Sequence, residues 1–276
     1  MKIAPLPSYT SLDLEYIEVT TQGPIGVMTM NQPDRHNALN PELSEREMHH
    51  VLGLFHRDDS IRVVVITGKG RSFCAGGSLT GMKMPDDVKP RSQGMKLAYQ
   101  YDYGLLWKTL QEYKKPLIAA VNGHALGGGW ALAHICDLVI AAEAADFGAV
   151  EVNVGLISYE FSCNWLAKTV GKHRAMNLVL TGDRISAREA LELGLVNQVV
   201  PDDQLMNVTL EKARQIASRP PLAVALAKHL VQRAVKADED HDLERAYGLF
   251  LRTTEDFARA SAALAAREPV PEFFAR

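Results

Sequence analysis

Apolar residues follow two rhythms along the first two hundred positions of the chain. Residues 16–20 and 25–30 are short β-rich runs around Gly23-Pro24, which predicts two strands joined by a turn. RVVVIT at residues 62–67 is a continuous β-branched run, the pattern of a strand buried on both faces. Two more apolar strands are predicted at 117–121 and 138–142. Helical spacing appears after Pro41, again at 97–113, and at 130–135. Asn40 suits the N-cap of the first of these helices, with Pro41, Glu42 and Glu45 in its opening turn. Residues 31–41 read as a loop from their Asn and Pro content, as do the polar residues 80–96 with Pro85 and Pro90. This alternation predicts an α/β fold of repeated right-handed crossovers up to about residue 200. After Pro201 the pattern is helical only, at 205–217, 222–237 and 243–264, with Arg219-Pro220-Pro221 as a stop.

Composition narrows the class without changing this picture. The chain has 276 residues, 47% of them hydrophobic and 23% charged, as in an ordinary globular protein. A net charge of −3 and the lack of a basic block give no reason to expect nucleic acid. Cys74, Cys136 and Cys163 are an odd number of scattered thiols without CxxC spacing. They argue for a reducing compartment and against a disulfide framework or a zinc site. No stretch approaches ~18 consecutive apolar residues, and the first sixteen residues lack an apolar core of signal-peptide length. A cytoplasmic enzyme without membrane partners is the expectation.

The chemistry concentrates between residues 116 and 156. Strand 117–121 breaks at Asn122-Gly123, passes Gly127-Gly128-Gly129 and enters a helix, and Glu151 follows among valines. Glycines between a strand and a helix bare backbone N–H groups where they can hold an anion. Alone, such a turn also reads as a tight connection. A second glycine loop, Ala75-Gly76-Gly77, follows the 62–67 strand. Neighbouring strands could bring one N–H from each loop to the same carbonyl oxygen, the donor pair that stabilises an enolate. Histidines 49, 50 and 56 lack the carboxylates of a metal site, His124 reads as a hydrogen-bonded structural residue, and Cys163 as a buried thiol without a base. Neither GxSxG nor GxGxxG occurs.

At this point the chain resembles the crotonase superfamily, the enoyl-CoA hydratase/isomerase family. The matching segments are Asn31 to Asn40, Ser72-Phe-Cys-Ala-Gly-Gly-Ser-Leu79, residues 116–137, Asp146-Phe147-Gly148 through Gly155-Leu156, and Thr181-Gly-Asp-Arg-Ile-Ser-Ala187. Residues 190–199, residues 221–228, and Thr254-Glu-Asp-Phe257 through Arg267-Glu-Pro269 complete the series. The resemblance implies a spiral of ββα units over residues 1–204 with an acyl-CoA site, and a helical region at 205–276 that builds trimers or hexamers (dimers of trimers). It implies an oxyanion hole from the N–H groups of Gly77 and Gly128. Ala38 and the stretch Ala75, Gly76, Ser78 and Leu79 would line the CoA path, or Ala38 and Leu79 would simply pack. The substrate implied is an acyl-CoA thioester, with no separate cofactor.

Departures from the family pattern set the expected chemistry. Family hydratases carry two glutamates; here Ala131 stands at the first position and Glu151 matches the second. Hydration is a task readily shared by two carboxyl groups, whereas one suffices to move a proton between carbons. Glu151 is therefore expected to be the acid/base residue of an isomerase or other single-acid reaction, although enoyl-CoA hydratase is the label the family suggests. Its structural alternative is a solvated strand-edge acid. Tyr159 and Glu160 replace the family's usual glycine-rich stretch, either as a second acid or as a pocket wall and a surface charge. Ser78 stands where aspartate is usual. Arg267 and Arg276 are phosphate contacts or ordinary solvated arginines. The alternative to an enzyme is a catalytically silent acyl-CoA-binding homologue.

Overall fold

In a computed structural model, which describes residues 9, 12–78, 105–158, 162–236, 248, 250–269 and 271, the β-branched run forms β3 (Val63–Gly68), buried at every position. A strand without an exposed face needs partners on both edges and a layer on both sides. β2 (Ile25–Met30) and β5 (Leu117–Val121) take the edges, both parallel to β3. With β1 (Ile17–Gln22), β7 (Leu138–Ala142) and β10 (Gln198–Val200) they make a six-stranded sheet ordered β1-β2-β3-β5-β7-β10. Only β1 runs antiparallel to its neighbour in that sheet. Alternate residues of β3 serve different cores. Val64 and Ile66 join the large cluster that contains Phe55, Phe73 and Trp130, and Val63 and Val65 join a smaller one.

After β3, β5 and β7 the chain adds a short strand to a second sheet. β4 (Ser72–Cys74), β6 (His124–Leu126) and β8 (Asp146–Gly148) follow β3, β5 and β7 in this way, and β9 (Ile185–Ser186) closes the set in the order β4-β6-β8-β9. Strand, short strand and helix therefore repeat as ββα units, the α/β architecture expected. Three-residue strands are too short to leave a periodic signature, which is why the sequence predicts no strand at β4, β6 or β8. Helix α1 (His49–Arg57) is preceded by a π-helical turn, Glu42–Met48, and Asn40 Oδ1 accepts the Leu43 N–H at 2.7 Å as a cap should. Of the helix expected at 97–113, α2 (Leu105–Gln111) is described. The loop expected at 80–96 lies outside the described residues.

Helix α3 (Gly128–Ile135) starts two residues earlier than its apolar spacing suggests. Helices α4 (Ser162–Val170), α5 (Lys172–Thr181) and α6 (Ala187–Glu192) follow, the last with a capping box between Ser186 and Glu189. α7 (Leu205–Ala217) lays Leu205, Leu210, Ala213 and Ala217 on Val63, Val65, Ile118 and Ile140 of the six-stranded sheet. The helical region expected from residue 205 thus begins with a layer of the core. α8 (Pro221–Lys236) and α9 (Glu255–Ala266) come next, α9 capped by Thr254, whose hydroxyl accepts the Phe257 N–H at 3.2 Å. Among the described residues no helix is long and apolar enough to cross a membrane.

One ion pair pins α8 to the strands. Lys228 Nζ lies 2.7 Å from Asp137 Oδ2, which also accepts the Leu117 N–H, and donates to the Lys115 carbonyl at 2.9 Å. Burial raises the Asp137 carboxyl above its ordinary range, and the ammonium opposes that shift. Replacing Lys228 by Ala leaves the partly exposed Asp137 carboxylate with only its Leu117 and Gln232 donors, so unfolding in urea should show a loss of about 1 kcal/mol. Lys228→Arg should retain most of that stability.

Candidate active site

β4 and β6 pair in parallel, and each ends in a glycine loop at the same end of the small sheet. The main chains meet there without intervening side chains. A Cβ built on Gly129 would lie 1.9 Å from the Cys74 carbonyl oxygen. Gly76 has φ +93°, and its Cβ would lie 2.7 Å from the Leu126 oxygen and 3.3 Å from the Gly128 nitrogen. Gly128 is the first residue of α3, where an N–H has no partner within the helix. Gly77 forms a parallel bridge with Leu39: Gly76 O accepts from Leu39 N–H and Ser78 N–H donates to Leu39 O. In that geometry the Gly77 N–H points away from Leu39. Both glycines line a cleft of about 890 Å³.

The third loop brings the acid. β8 runs parallel to β6, and the Gly127 N–H donates to Gly148 O at 2.8 Å, which fixes the 3₁₀ turn Val150–Val154 beside the α3 N-terminus. A Cβ on Gly127 would sit 3.5 Å from Glu151 Oε1. Glu151 is only 8% exposed, so the solvated strand-edge alternative does not hold. Neither carboxyl oxygen has a hydrogen-bond partner among the described residues. Burial pushes its pKa up to about 7; its own backbone N–H and the Ser158 hydroxyl pull in the other direction. Ser158 stands beside the carboxyl without completing a hydrogen bond of ordinary geometry.

No carboxylate occurs along α3. Ala131 is buried, and Trp130 packs edge-on against Phe147 with its indole N–H donating to His134 Nδ1. Burial lowers the His134 pKa to about 3, so the ring is a neutral acceptor. His124 is held as expected, with Nδ1 2.5 Å from Asp146 Oδ1, while Asp146 Oδ2 accepts from Arg184 at 3.2 Å. Cys163 departs from the expectation of a buried thiol. It is half-buried, because α4 begins near the surface, and its Sγ donates to the Ser158 carbonyl.

Ala38, Ala75, Gly76, Gly77, Ser78, Gly128 and Glu151 all line the cleft. Leu79, Tyr159, Glu160 and Arg276 lie outside the described residues. Arg267 is exposed and ends α9 in a left-handed conformation, φ 59°. Sequence reasoning missed Arg35, Arg184 and Asn153, and the α9 residues Ala260, Ala263 and Leu264, all on the cleft wall. α9 reaches that wall by packing on the acid turn: a Cβ on Gly155 would lie 3.2 Å from the Phe257 nitrogen. The left-handed pair His36-Asn37 (φ 53° and 55°) turns the chain there, with Asn37 Nδ2 on the Ser72 and Lys69 carbonyls.

The family model for enoyl-CoA hydratase/isomerase matches residues 20–267. A short-chain-enoyl-CoA hydratase of Clostridium acetobutylicum is 36% identical over 230 residues, 83% of this chain and 85% of that protein. A 1,2-epoxyphenylacetyl-CoA isomerase of Escherichia coli is 35% identical over 260 residues, 93% of this chain and 98% of that one. The crystal structure of an enoyl-CoA hydratase/isomerase from Pseudoalteromonas atlantica superposes with a TM-score of 0.81 at 30% identity, covering 94% of this chain and all of that one. Sequence and fold agree over nearly the whole length, and the chain belongs to the enoyl-CoA hydratase/isomerase family of acyl-CoA enzymes.

Proposed function

We propose that this enzyme moves a proton between two carbons of an acyl-CoA thioester, with Glu151 as its only acid/base group. The thioester carbonyl oxygen accepts from the N–H groups of Gly77 and Gly128. Charged Glu151 removes a proton from the carbon next to the thioester, the electron pair moves onto the oxygen as an enolate, and the two N–H groups hold that charge. The same carboxyl then returns the proton to a carbon further along the conjugated chain, so the double bond shifts and nothing else is gained or lost. What carries this reading is Glu151 itself, buried, without a hydrogen-bond partner among the described residues, and with its pKa raised to about 7, where a carboxyl can both accept and deliver a proton. Hydration is the second reading, favoured by the hydratase names among the relatives. It lacks a second carboxyl at position 131. CoA enters as part of the substrate. A trimer or hexamer is the assembly we propose, supported by Leu222, Leu226 and Leu230 on one face of α8, which are 79%, 64% and 66% exposed.

Glu151→Gln should lower turnover on the true substrate by about 10²–10⁴-fold with CoA binding and circular dichroism unchanged. The same variant reads the burial of the charge. The carboxyl pKa rises on folding from 4.5 to about 7, so the stability linked to its protonated form is full below pH 4.5 and lost as pH rises through 7. The melting temperature of the Gln variant should therefore exceed the wild type's by more at pH 8 than at pH 5.

Placing the absent acid tests the division between the two readings. Ala131→Glu should raise hydration of crotonyl-CoA above the unmodified enzyme. An unmodified enzyme that already hydrates crotonyl-CoA at ~10–10³ per second would overturn the single-acid reading. For the assembly, light scattering should give three or six times the 30.4 kDa chain mass, and Leu226→Glu should lower it.

A further inference from the structure

Most buried side-chain hydroxyls and carboxylates of the described residues have found partners. Thr67 Oγ1 donates to Ala120 O at 2.8 Å, Thr209 Oγ1 to Leu205 O at 2.7 Å, Ser72 Oγ sits 2.8 Å from His36 Nδ1, and Glu47 accepts the Glu15 and Tyr16 N–H groups. Ser158 is the exception among the hydroxyls: it is 4% exposed and its Oγ has no partner among the described residues. The one carboxyl in the same condition is Glu151, with both oxygens unpartnered. The two face each other, because the chain after the acid turn folds back, with Leu156 N–H on Glu151 O at 3.0 Å and the Ser158 carbonyl accepting from Cys163. Buried polar atoms left without partners destabilise a fold. Such clusters are built around an oxygen that completes them.

We propose that the Ser158 hydroxyl and the Glu151 carboxyl form one cradle for a single hydroxylic oxygen, a water molecule or a hydroxyl carried by the acyl chain, and that Ser158 is the positioning residue of the pair. This rests on the assignment of Glu151 as the acid/base group. The donor set selects that chemistry. A hydroxyl and a carboxyl that is half protonated near pH 7 offer both donors and acceptors, which a hydroxylic oxygen also has. An anion would meet carboxylate charge. The charged or titratable groups that share the cleft wall with Glu151 are Arg35, His36, Arg184 and Glu268; none of them contributes to the shift of Glu151. The main chain of Gly127 closes a third side, 3.5 Å from Oε1 by the measure of its missing Cβ. Position 131 on α3 adds no polar group.

The test compares 3-hydroxybutyryl-CoA with butyryl-CoA, which differ by that oxygen alone, in the wild type, Ser158→Ala and Ser158→Thr. Affinities come from calorimetry, and the Glu151 pKa from carbon NMR of the labelled carboxyl with butyryl-CoA bound. If the acyl chain carries the oxygen, wild type and the Thr variant prefer the hydroxylated ligand by at least about fivefold, and the Ala variant loses the preference. If the oxygen is a water, the ligands bind alike, and the Ala variant shifts the Glu151 titration to higher pH while the Thr variant restores it. Equal affinities with an unmoved titration would overturn the cradle. Glu151→Gln is assayed beside them on a panel of enoyl-CoA substrates. Full activity there would remove the Glu151 assignment itself, whereas an inactive Gln variant beside an indifferent Ala variant would remove the cradle alone.

Discussion

The close approach of two backbones between β4 and β6 governs the geometry of the cleft. The strands are three residues each, too short to hold themselves together by ladder hydrogen bonds. They stay in contact because nothing separates them. A Cβ on Gly123 would lie 2.0 Å from the Arg71 oxygen, and one on Gly129 lies as near to Cys74, so both ends of the pairing exclude any side chain. That exclusion draws the loop after β4 against the first turn of α3 and leaves Gly76 one methyl contact from the Gly128 nitrogen. Gly77 and Gly128 come to the cleft wall as a by-product of packing, without a side chain to place them.

Glu151 depends on the same approach at one remove. Its turn hangs from β8, which pairs with β6, so the acid is registered against the α3 N-terminus through Gly127 and Gly148. From the other side α9 packs the Phe257 backbone on Gly155, at the end of the acid turn. The Glu151 carboxyl is thus buried on a turn held between the small sheet and the C-terminal helix.

How much of this is legible in the sequence depends on the length scale of each feature. β3 and α7 declare themselves because five consecutive β-branched positions, or thirteen amphipathic ones, carry a signature. The Asn40 cap and the stop at Pro220-Pro221 are local chemistry and appear where expected. β4, β6 and β8 are set by tertiary pairing and leave no pattern. In the site, the glycine loops and Glu151 stand out by residue type and resemblance. Ser158 does not, because a serine in sequence gives no sign of whether its hydroxyl will be buried and unpartnered. Arg184 and the α9 wall come to the cleft from more than thirty and a hundred residues beyond Glu151, a distance only the fold can close.

The proposed donor pair is main chain, and that bears on how such a protein changes over time. A point substitution replaces a side chain and leaves the amide it hangs from, so the charge-stabilising half of the site is insulated from most single mutations except those that force a Cβ into the β4–β6 contact. The proton-handling half has no such insulation, since one carboxyl at 151 and one methyl at 131 stand on separate loops and can each be exchanged without moving the other. On the proposed chemistry, a scaffold divided in this way can keep hold of a thioester while the reaction drifts, with position 131 as one place for the change.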